Sequence, residues 1–399
     1  MNFDTSFDVI IVGAGPGGLM AAKTLAEKKL KVLVLDKKQE IGVPKRCAEA
    51  VERNLFEKLL GFNAFDRWIS SYIKGVGLYA PSSKSIKVRL NDRDGFVLER
   101  KMFEKDLAKI TARKGARIQV KTMVKEVERI NEGFKVKGSF IGEEVEYSCK
   151  LLVAADGIES QIAQQVGLKT VSTLYHTDSG MQYEMAGINP GDTDLIHLFF
   201  GNDIAPRGYC WVFPKGKDSA NVGIGIGASE KKTAKYYLDK FVESQENLKN
   251  GSIIEVNAGG IPVGGFLEKM VSDNFVVVGD AAHQVNPIHG GGILLAMHAG
   301  SLAGEIISEA FSKGDLSEGF LKIYQEKWLK EKGEKLKKVL KTRTMFEKFT
   351  DDDFEIIANA LTAEDVIKIT SGSKLNIAGT MAKKLIKHPK LMKLIFKGV

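Results

Sequence analysis

The amino-acid sequence predicts a mixed α/β fold, α+β overall, in which a parallel-sheet domain is interleaved with an antiparallel sheet and followed by a helical region. Three patterns predict it. Residues 8–36 have the order strand, helix, strand, and residues 176–265 alternate between apolar and polar with turn signals. From residue 316 onward the apolar positions recur with helical spacing.

The parallel unit carries a glycine motif typical of a Rossmann-type domain. Residues 9–12 are β-branched and uncharged, as a strand buried on both faces requires. Gly13, Gly15 and Gly18 follow as G-x-G-x-x-G. The first glycine allows a tight turn, the second lets a pyrophosphate approach the backbone, and the third lets the helix pack closely on the strand. The next strand ends on Asp36, whose carboxylate can accept hydrogen bonds from a ribose, so the unit predicts a dinucleotide site.

The remaining pattern divides the chain into three units. In chain order we expect a loop at 37–50, a helix at 51–60, short strands at 72–90 and a helix ending near residue 115. Strands are then expected at 117–121, 124–130, 134–140 and 144–147, with a buried strand from 150. An antiparallel sheet at 176–265 is followed by a buried strand at 276–280, a helix to about 313 and helices beyond it. The expected boundaries are 1–71, 93–175 and 268–313 for the dinucleotide-binding domain, 72–92 and 176–267 for an antiparallel-sheet substrate domain, and 314–399 for the helical region.

Composition and cysteine usage indicate a globular protein of the cytoplasm. Of 399 residues, 44% are hydrophobic and 27% charged, which is ordinary for such proteins. No apolar run reaches the roughly 18–20 residues of a membrane-spanning helix, and the first strand begins too early to leave room for a signal peptide. Cys47, Cys149 and Cys210 lie far apart without metal-ligand spacing, so we expect neither a disulfide framework nor a metal site.

The net charge of +8 is concentrated near the C terminus. Residues 322–348 contain ten Lys or Arg against four Glu, and residues 381–399 contain six Lys, no acid and several apolar side chains. That tail is typical of a basic amphipathic segment, which would place the protein peripherally at the inner face of a membrane. The alternative is a solvated helix face with a core-facing stripe. No nucleic-acid-binding motif is present, and we expect no nucleic-acid partner.

Three motifs in a fixed order resemble one flavoprotein superfamily. They are the glycine fingerprint with Asp36, the triplet Ala155-Asp156-Gly157, and the segment from Gly279-Asp280 to Gly290-Gly291-Gly292. The order resembles the superfamily typified by para-hydroxybenzoate hydroxylase, in which a single FAD spans the domain. Two narrower motifs, Pro206-x-x-Tyr209-x-Trp211-x-Phe213-Pro214 and Pro44-Lys45-Arg46-Cys47, resemble the archaeal geranylgeranyl reductases, which saturate isoprenoid chains of membrane lipids.

The resemblance implies a set of FAD contacts. They are Gly17, Asp36, Cys47, Ala48, Ala50, Arg100, Val124, Asp280, Gly292 and Ile293. The motifs themselves add Gly13, Gly15, Gly18, Arg46 and Asp156 to the candidate cofactor-binding residues. Two positions depart from the usual pattern of these reductases. Asp36 stands where Glu is frequent and preserves the chemistry, whereas Ala50 stands where Gly is frequent and adds a methyl group to a loop expected beside the flavin.

The candidate catalytic residues are Cys47, Tyr209, Trp211 and Phe213. The three rings alternate along one strand and therefore share a face, either as an aromatic wall for an apolar chain or as ordinary sheet core. The neighbouring strand presents Gly223, Gly225 and Gly227, bare backbone on which something bulky could lie. Cys47 is either a proton donor or flavin neighbour, or a small buried hydrophobe. His283 and His289 either hold the flavin loop or shuttle protons.

The resemblance implies an FAD-dependent reductase of C=C double bonds in geranylgeranyl chains of an archaeal ether lipid, with hydride from reduced flavin. Its electron donor would be reduced ferredoxin or NAD(P)H. One alternative is an FAD-dependent monooxygenase acting on an apolar or aromatic substrate. Another, from a different class, is a flavin-binding electron carrier without turnover.

Overall fold

The structure, a computed structural model, describes residues 4–89, 94–371, 384–385 and 387–392. Its strands are β1 (Ser6–Val12), β2 (Val32–Leu35), β3 (Ala50–Glu52), β4 (Ile69–Ile73), β5 (Gly75–Tyr79), β6 (Ser85–Arg89), β7 (Gly95–Leu98), β8 (Arg117–Gln119), β9 (Thr122–Ile130), β10 (Gly133–Phe140), β11 (Glu143–Ala154), β12 (Thr177–Ala186), β13 (Leu195–Phe199), β14 (Tyr209–Pro214), β15 (Ser219–Gly227), β16 (Ser252–Pro262), β17 (Val271–Ser272) and β18 (Phe275–Val277). Its α-helices are α1 (Pro16–Glu27), α2 (Arg53–Leu60), α3 (Arg100–Arg113), α4 (Gln161–Gln165), α5 (Ala234–Ser244), α6 (Ile293–Lys313), α7 (Glu318–Trp328), α8 (Glu334–Phe346), α9 (Asp351–Ala360) and α10 (Ala363–Ser371).

The largest sheet has β1 at the centre of its parallel strands, in the order β18, β11, β1, β2 and β8. Val9 pairs with Leu151 on one side and with Val32 on the other, and all three side chains are buried. Because parallel strands end at the same edge, the loops after β1, β2, β11 and β18 meet there. Ligands of open α/β sheets bind at that edge. The predicted α/β fold class is confirmed.

Helix α6 packs directly against α1 because glycines remove the side chains between them. A Cβ on Gly300 would lie 2.1 Å from the backbone oxygen of Gly17, and one on Gly17 would lie 3.2 Å from the oxygen of Ala296. Close approach of two helix backbones at small residues needs no distortion elsewhere. This contact carries the N-terminus of α6 to the ligand edge of the sheet.

Two strand runs expected separately, 144–147 and from 150, form the single strand β11. Its first half pairs antiparallel with β10, which pairs in turn with β9, and its second half joins the parallel strands. A small sheet of β3, β7 and β4 lies apart from both larger sheets in the pairing order. The domain boundaries stay a prediction.

The second large sheet has the order β16, β12, β15, β14, β13, β5 and β6. One face is covered by α5, whose Leu238 and Phe241 pack with Val222 and Ile224. The other face carries Trp211 and Phe213, which pack with Ala48 of the loop after β2 and with Ala50 at the start of β3. This contact brings the sheet to the ligand edge of the parallel strands.

The expectation of an antiparallel sheet throughout 176–265 is wrong for α5. Its apolar residues Ala234, Leu238 and Phe241 recur with helical spacing and are all buried. Thr233 caps the helix, since its hydroxyl accepts a hydrogen bond from the Tyr236 N–H at 3.3 Å. The apolar residues recur here every 3.6 residues rather than every 2. The prediction for 176–265 followed the alternation that dominates the rest of the segment.

The C-terminal region is helical, as predicted, and α7 continues into α8 through a π-helical turn at Leu329–Gly333. Within the basic tail, Leu385 and Leu391 pack in a cluster that contains Phe349 and Ala360, so these two side chains follow the core-facing interpretation. Residues 381–383, 386 and 393–399 of the tail lie outside the described residues. Within the described ranges, no helix is both long and apolar enough to cross a bilayer.

Candidate active site

The glycine fingerprint forms a tight turn with one open position. Gly13 has φ +108°, and a Cβ there would lie 2.1 Å from the Ala155 oxygen; a Cβ on Gly18 would lie 2.0 Å from the Gly13 oxygen. These two glycines are therefore required by the turn itself. A Cβ on Gly15, by contrast, would meet nothing within 4 Å. The space above Gly15, at the N-terminus of α1, is where the backbone could receive an anionic pyrophosphate.

Asp36 is buried at the end of β2 and orders the same edge. Its carboxylate accepts hydrogen bonds from the N–H groups of Ala14 and Lys38, both at 2.8 Å. Its backbone oxygen accepts from the Thr122 N–H at 2.9 Å, at the start of the strand that carries Val124. Val124 is partly buried against the core beside this strand end. The fingerprint, Asp36 and Val124 thus share one edge.

The N-terminus of α6 and the Asp280 carboxylate complete this edge. Gly292 precedes the first residue of α6, Ile293, and a Cβ on Gly292 would lie 3.0 Å from Asp280 Oδ1. Burial raises the pKa of Asp280, and the Arg100 guanidinium opposes that rise. No hydrogen bond from the described residues reaches the Asp280 carboxylate, which leaves it able to accept from ligand hydroxyl groups.

The residues at this edge fit FAD. An open backbone position lies at a helix N-terminus, and a buried carboxylate follows β2. A second carboxylate, which has no donor in the part of the chain that the structure describes, lies beside the N-terminus of α6. Asp156 adds a further unpartnered acceptor, since its buried Oδ1 has no partner among the described residues while Oδ2 accepts from the Ile162 N–H at 3.0 Å. Such a row of phosphate and hydroxyl partners matches a pyrophosphate with a ribose and a ribityl chain.

The segment 44–50 crosses from this edge to the second sheet and holds Cys47 between them. The Cys47 oxygen accepts a hydrogen bond from Gln182 Nε2 at 3.1 Å, and the Ala48 oxygen accepts from Asn221 Nδ2 at 3.2 Å. The thiol sulfur accepts from the Glu49 N–H at 3.1 Å. Burial raises the pKa of the Cys47 thiol, and the neighbouring Arg100 guanidinium opposes the rise. Cys47 therefore carries its proton at neutral pH.

This protonation state predicts how Cys47 reacts. The thiolate is the nucleophile, so alkylation by iodoacetamide should be slow at pH 7 and should accelerate as the pH rises beyond the ordinary thiol pKa of 9.0. The rate is measured by mass spectrometry of the intact protein. Cys149 and Cys210 are buried, and the Cys47→Ser variant measures how fast these two cysteines are alkylated. A rate that already levels off below pH 9 would show that the thiol is acidic and contradict this assignment.

A buried ionic network anchors the Cys47 segment. Glu49 has φ +76° and is almost free of solvent contact. Its carboxylate accepts from Lys45 Nζ at 3.0 Å, Lys215 Nζ at 3.3 Å, Asn221 Nδ2 at 2.7 Å and the Arg100 N–H at 3.0 Å. Both oxygens of the carboxylate thus have donors, three on Oε2 and one on Oε1, as a buried charge requires.

Two further glutamates extend the network to the second sheet. Glu184 pairs with both Lys45 and Lys215, and Glu255 lies 3.6 Å from Lys45 Nζ. The side chain of Lys45 is only 1% exposed. The network therefore joins the segment 44–50 to β12, β16 and the end of β14.

The three aromatic residues of β14 share one face, as predicted. Trp211 and Phe213 are buried and Tyr209 is partly buried, with Tyr209 and Trp211 ring centroids 5.9 Å apart. The Tyr209 hydroxyl donates to the His289 oxygen at 2.8 Å. Burial, together with the charge of Asp178, raises the pKa of Tyr209, so its hydroxyl stays protonated.

The glycines of β15 have different neighbours, which corrects the expectation of a uniformly bare face. A Cβ on Gly223 would lie 2.4 Å from the Trp211 ring, and one on Gly227 would lie 2.6 Å from Arg207. At Gly225 the nearest such atom is in the Trp211 ring, at 3.8 Å. The bulky group on this face is therefore the indole of Trp211. At Gly225, directly opposite Tyr209, its ring lies at ordinary van der Waals distance from where a Cβ would be.

A second charged cluster ties α8 to the site. Arg343 pairs with both carboxylate oxygens of Asp178, at 2.7 and 3.1 Å, and donates to the Pro287 oxygen at 2.7 Å. It also pairs with Glu347, which in turn pairs with Arg207 at 2.9 Å. The C-terminal region thus fixes the loop that precedes α6.

The two histidines of this loop hold it in place. His283 Nε2 lies 3.0 Å from the Thr170 oxygen, and His289 Nδ1 accepts from the Gly291 N–H at 3.1 Å. Burial lowers the pKa of both imidazoles, so both are neutral at pH 7. Their contacts match the holding role rather than the proton-shuttle role.

The structure places the predicted site residues in two adjoining groups. The fingerprint glycines, Asp36, Val124, Asp156, Asp280, Gly292 and Ile293 lie along the parallel-strand edge, and Cys47, Ala48, Ala50, Tyr209, Trp211 and Phe213 lie where the second sheet meets it. Arg100 connects the groups, since its charge acts on both Cys47 and Asp280. Arg46 is half-exposed, and its guanidinium pairs at 3.2 Å with Glu159, whose charge acts on Asp156 and Asp280.

Sequence reasoning missed the polar residues behind the site, chiefly Lys45, Glu49, Gln182, Glu184, Lys215, Asn221 and Arg343. One signal was available. Asp178, Gln182 and Glu184 alternate on one face of β12, next to the aromatic strand pair. A polar strand face normally faces water, so this pattern alone does not show that the face is buried.

The fold and the site define a dinucleotide-dependent flavoprotein whose second sheet closes over the cofactor edge. Residues 176–261 match the family model for the geranylgeranyl reductase catalytic domain, and residues 11–65 match that for an NAD(P)-binding Rossmann-like domain. The chain belongs to the geranylgeranyl reductase family of FAD-dependent oxidoreductases.

Relatives extend the similarity over almost the whole chain. The digeranylgeranylglycerophospholipid reductase of Methanocaldococcus jannaschii is 42% identical over 358 residues, covering 89% of this chain and 90% of the relative. Digeranylgeranylglycerophospholipid reductase 1 of Methanothermobacter thermautotrophicus is 40% identical, covering 96% of each chain. The crystal structure of a geranylgeranyl bacteriochlorophyll reductase-like protein from Thermoplasma acidophilum superposes with a TM-score of 0.87 at 31% identity, covering 98% of this chain and 100% of that one.

Proposed function

We propose that this protein reduces the C=C double bonds of geranylgeranyl chains in archaeal ether phospholipids. The observation that carries the proposal is the juxtaposition of a protonated Cys47 and the rings of Tyr209 and Trp211 beside the cofactor edge. The archaeal relatives are named digeranylgeranylglycerophospholipid reductases, which supports it. A long apolar chain suits aromatic walls beside a strand position, Gly225, that carries no side chain.

The chemistry required of these residues follows from the substrate. An isolated double bond has no carbonyl group to stabilise a carbanion, so positive charge at the more substituted carbon is the easier charge to develop. A proton is added to one carbon and a hydride to the other, and the hydride carries both electrons. Reduced FAD supplies the hydride when bound. We assign the proton to the Cys47 thiol and the stabilisation of the positive charge to the rings of Tyr209 and Trp211.

Loss of a ring face should therefore slow turnover. Cation–π attraction is worth about 0.5–2 kcal/mol per ring, which corresponds to roughly 2- to 30-fold in rate. We expect Tyr209→Leu to lower kcat within that range and Trp211→Leu to lower it at least as far, because the indole also loses its hydrogen bond to Gln182. Tyr209→Phe keeps the ring and most of the activity. The measurement is saturation kinetics on a geranylgeranylated phospholipid with dithionite as reductant. Unaltered kcat in both leucine variants would refute the role of the rings.

The electron donor and the membrane contact belong to the proposal as well. We propose reduced ferredoxin or NAD(P)H as the donor. Peripheral contact at the inner face of the membrane would use the basic C-terminal segment, whose described part carries the exposed Lys387 and Lys390, while Lys384 pairs with Asp365 at 2.6 Å. A protein that reduces a membrane lipid must reach the bilayer surface, and lysines favour anionic headgroups.

Anaerobic turnover tests the proposed function. The holoprotein is incubated with dithionite and geranylgeranylated phospholipid, and lipid mass is followed. We expect a gain of two hydrogens for each double bond reduced. A monooxygenase would instead consume NADPH with oxygen and an aromatic substrate, and a carrier would leave every lipid unchanged. Either of those outcomes would overturn the proposal.

A further inference from the structure

Gln182 connects the aromatic strand to the cysteine segment. It lies on β12 and is only 3% exposed. Its side-chain oxygen accepts a hydrogen bond from Trp211 Nε1 at 3.0 Å, and its side-chain nitrogen donates to the Cys47 backbone oxygen at 3.1 Å. One amide thus bridges two of the candidate catalytic residues.

The orientation of this amide is determined by its partners. An indole N–H can only donate, and a backbone carbonyl can only accept. The oxygen of Gln182 must therefore face Trp211 and its nitrogen must face Cys47. Methionine can make neither bond, and an ionised glutamate can make only the bond from Trp211.

The strand register makes the bridge possible. Trp211 lies opposite Gly223 on β15, and Gly223 lies opposite Gln182 on β12. Because Gly223 has no side chain, the indole crosses β15 and reaches the amide; a Cβ there would lie 2.4 Å from the ring. The hydrogen-bonded bridge through Gln182 therefore also requires glycine at position 223.

The strand that carries Gln182 is held on both sides. β12 pairs along its length with β15 on one side and β16 on the other. On the next row of the face, Asn221 donates to the oxygens of Ala48 and Glu49. Breaking the bridge at Gln182 would leave a buried indole N–H and a backbone oxygen of the Cys47 segment without their partner.

We propose that Gln182 is a positioning residue that sets the distance between the Cys47 thiol and the Trp211 ring, and thereby selects which double bond of the isoprenoid chain is aligned for reduction. The selection part rests on the proposed function. The distance between the Cys47 thiol and the Trp211 ring is a property of the protein and does not depend on which substrate is reduced. Misplacement of a reacting group by about 1 Å can cost on the order of 100-fold in rate.

The test compares Gln182→Met and Gln182→Glu with a matched control, Gln245→Met, at the end of α5 on the opposite face of the sheet. Methionine has similar volume and loses both bonds, whereas ionised glutamate retains the bond from Trp211 and loses the one to Cys47. Iodoacetamide alkylation of Cys47 reports on the segment without any substrate. The distribution of partially reduced lipids reports on selection.

We expect alkylation to be about 5-fold or more faster in both Gln182 variants and in Trp211→Phe, because the segment opens more often once a bridging bond is lost. In the Gln182 variants we expect kcat to fall by about 10- to 100-fold with KM little changed, and the product mixture to shift toward different partially reduced chains. Gln245→Met should match the wild type in every readout.

Wild-type alkylation rates in Gln182→Met and Gln182→Glu would overturn the proposal. Faster alkylation with an unchanged product distribution would overturn its selection part. If the wild-type protein reduces no lipid at all, the proposed function fails, while the alkylation rates still decide whether Gln182 positions Cys47. Should Gln182→Met fail to fold, Gln182→Glu and Trp211→Phe provide the same comparison.

Discussion

Gly15→Ala is expected to leave the fold intact and to abolish retention of FAD. A Cβ at position 15 meets nothing within 4 Å, and the residue has an ordinary extended backbone with φ −78°. The methyl group would occupy the space where the pyrophosphate must approach the backbone. Gly13→Ala is expected to fail differently, because its Cβ would lie 2.1 Å from the Ala155 oxygen at φ +108°.

Thermal unfolding and flavin absorbance separate the two outcomes. The apo form of Gly15→Ala should unfold at the temperature of the wild-type apoprotein and should purify without the flavin spectrum. Gly13→Ala should be strongly destabilised or insoluble. A Gly15→Ala protein that retains FAD as the wild type does would show that the pyrophosphate does not pass this turn, and would remove the main geometric support for the cofactor assignment.

Lys45→Met is expected to destabilise the protein by about 3–5 kcal/mol, the cost of leaving buried charge without its partner. Lys45 is the central cation among Glu49, Glu184 and Glu255, and its side chain is 1% exposed. Its removal leaves Lys215 to compensate Glu49 and Glu184 alone. The quantity to measure is the free energy of unfolding in urea, on apoprotein, so that loss of cofactor binding does not contribute.

Lys235→Met is the matched control. Lys235 pairs with Asp239 on α5, but its side chain is 62% exposed, and exposed ion pairs contribute little. The control should unfold close to the wild type. Equal stability of Lys45→Met and the wild type would mean that the network is balanced by other groups, and would contradict the anchoring of the Cys47 segment by charge.

The features that the sequence predicts well are those with a local cause. Residues 9–12 must be a buried strand because they are β-branched and uncharged, and the fingerprint glycines specify the turn that follows. The rings of β14 share a face because strand side chains alternate. Each of these conclusions needs only neighbouring residues, and each agrees with the structure.

The features that the sequence does not predict depend on distant segments. Gln182 is buried only because Trp211 and Cys47, 29 and 135 residues away, approach it from two sides. Arg343 finds Asp178 across 165 residues. The residues next to Lys45 in the sequence do not show that its side chain is buried, because the three glutamates that surround it lie on other strands or across the loop. Helix α5 is different, because the helical spacing of its apolar residues is visible in the sequence. That spacing lies inside a segment whose other residues form strands.

The most direct test of the central claim is a single turnover without oxygen. The holoprotein is reduced by dithionite, excess reductant is removed, and flavin absorbance is followed after mixing with geranylgeranylated phospholipid, with the fully saturated phospholipid as control. We predict reoxidation with the unsaturated lipid alone, and one double bond lost for each flavin reoxidised. A reduced flavin that persists equally with both lipids would contradict the reductase assignment.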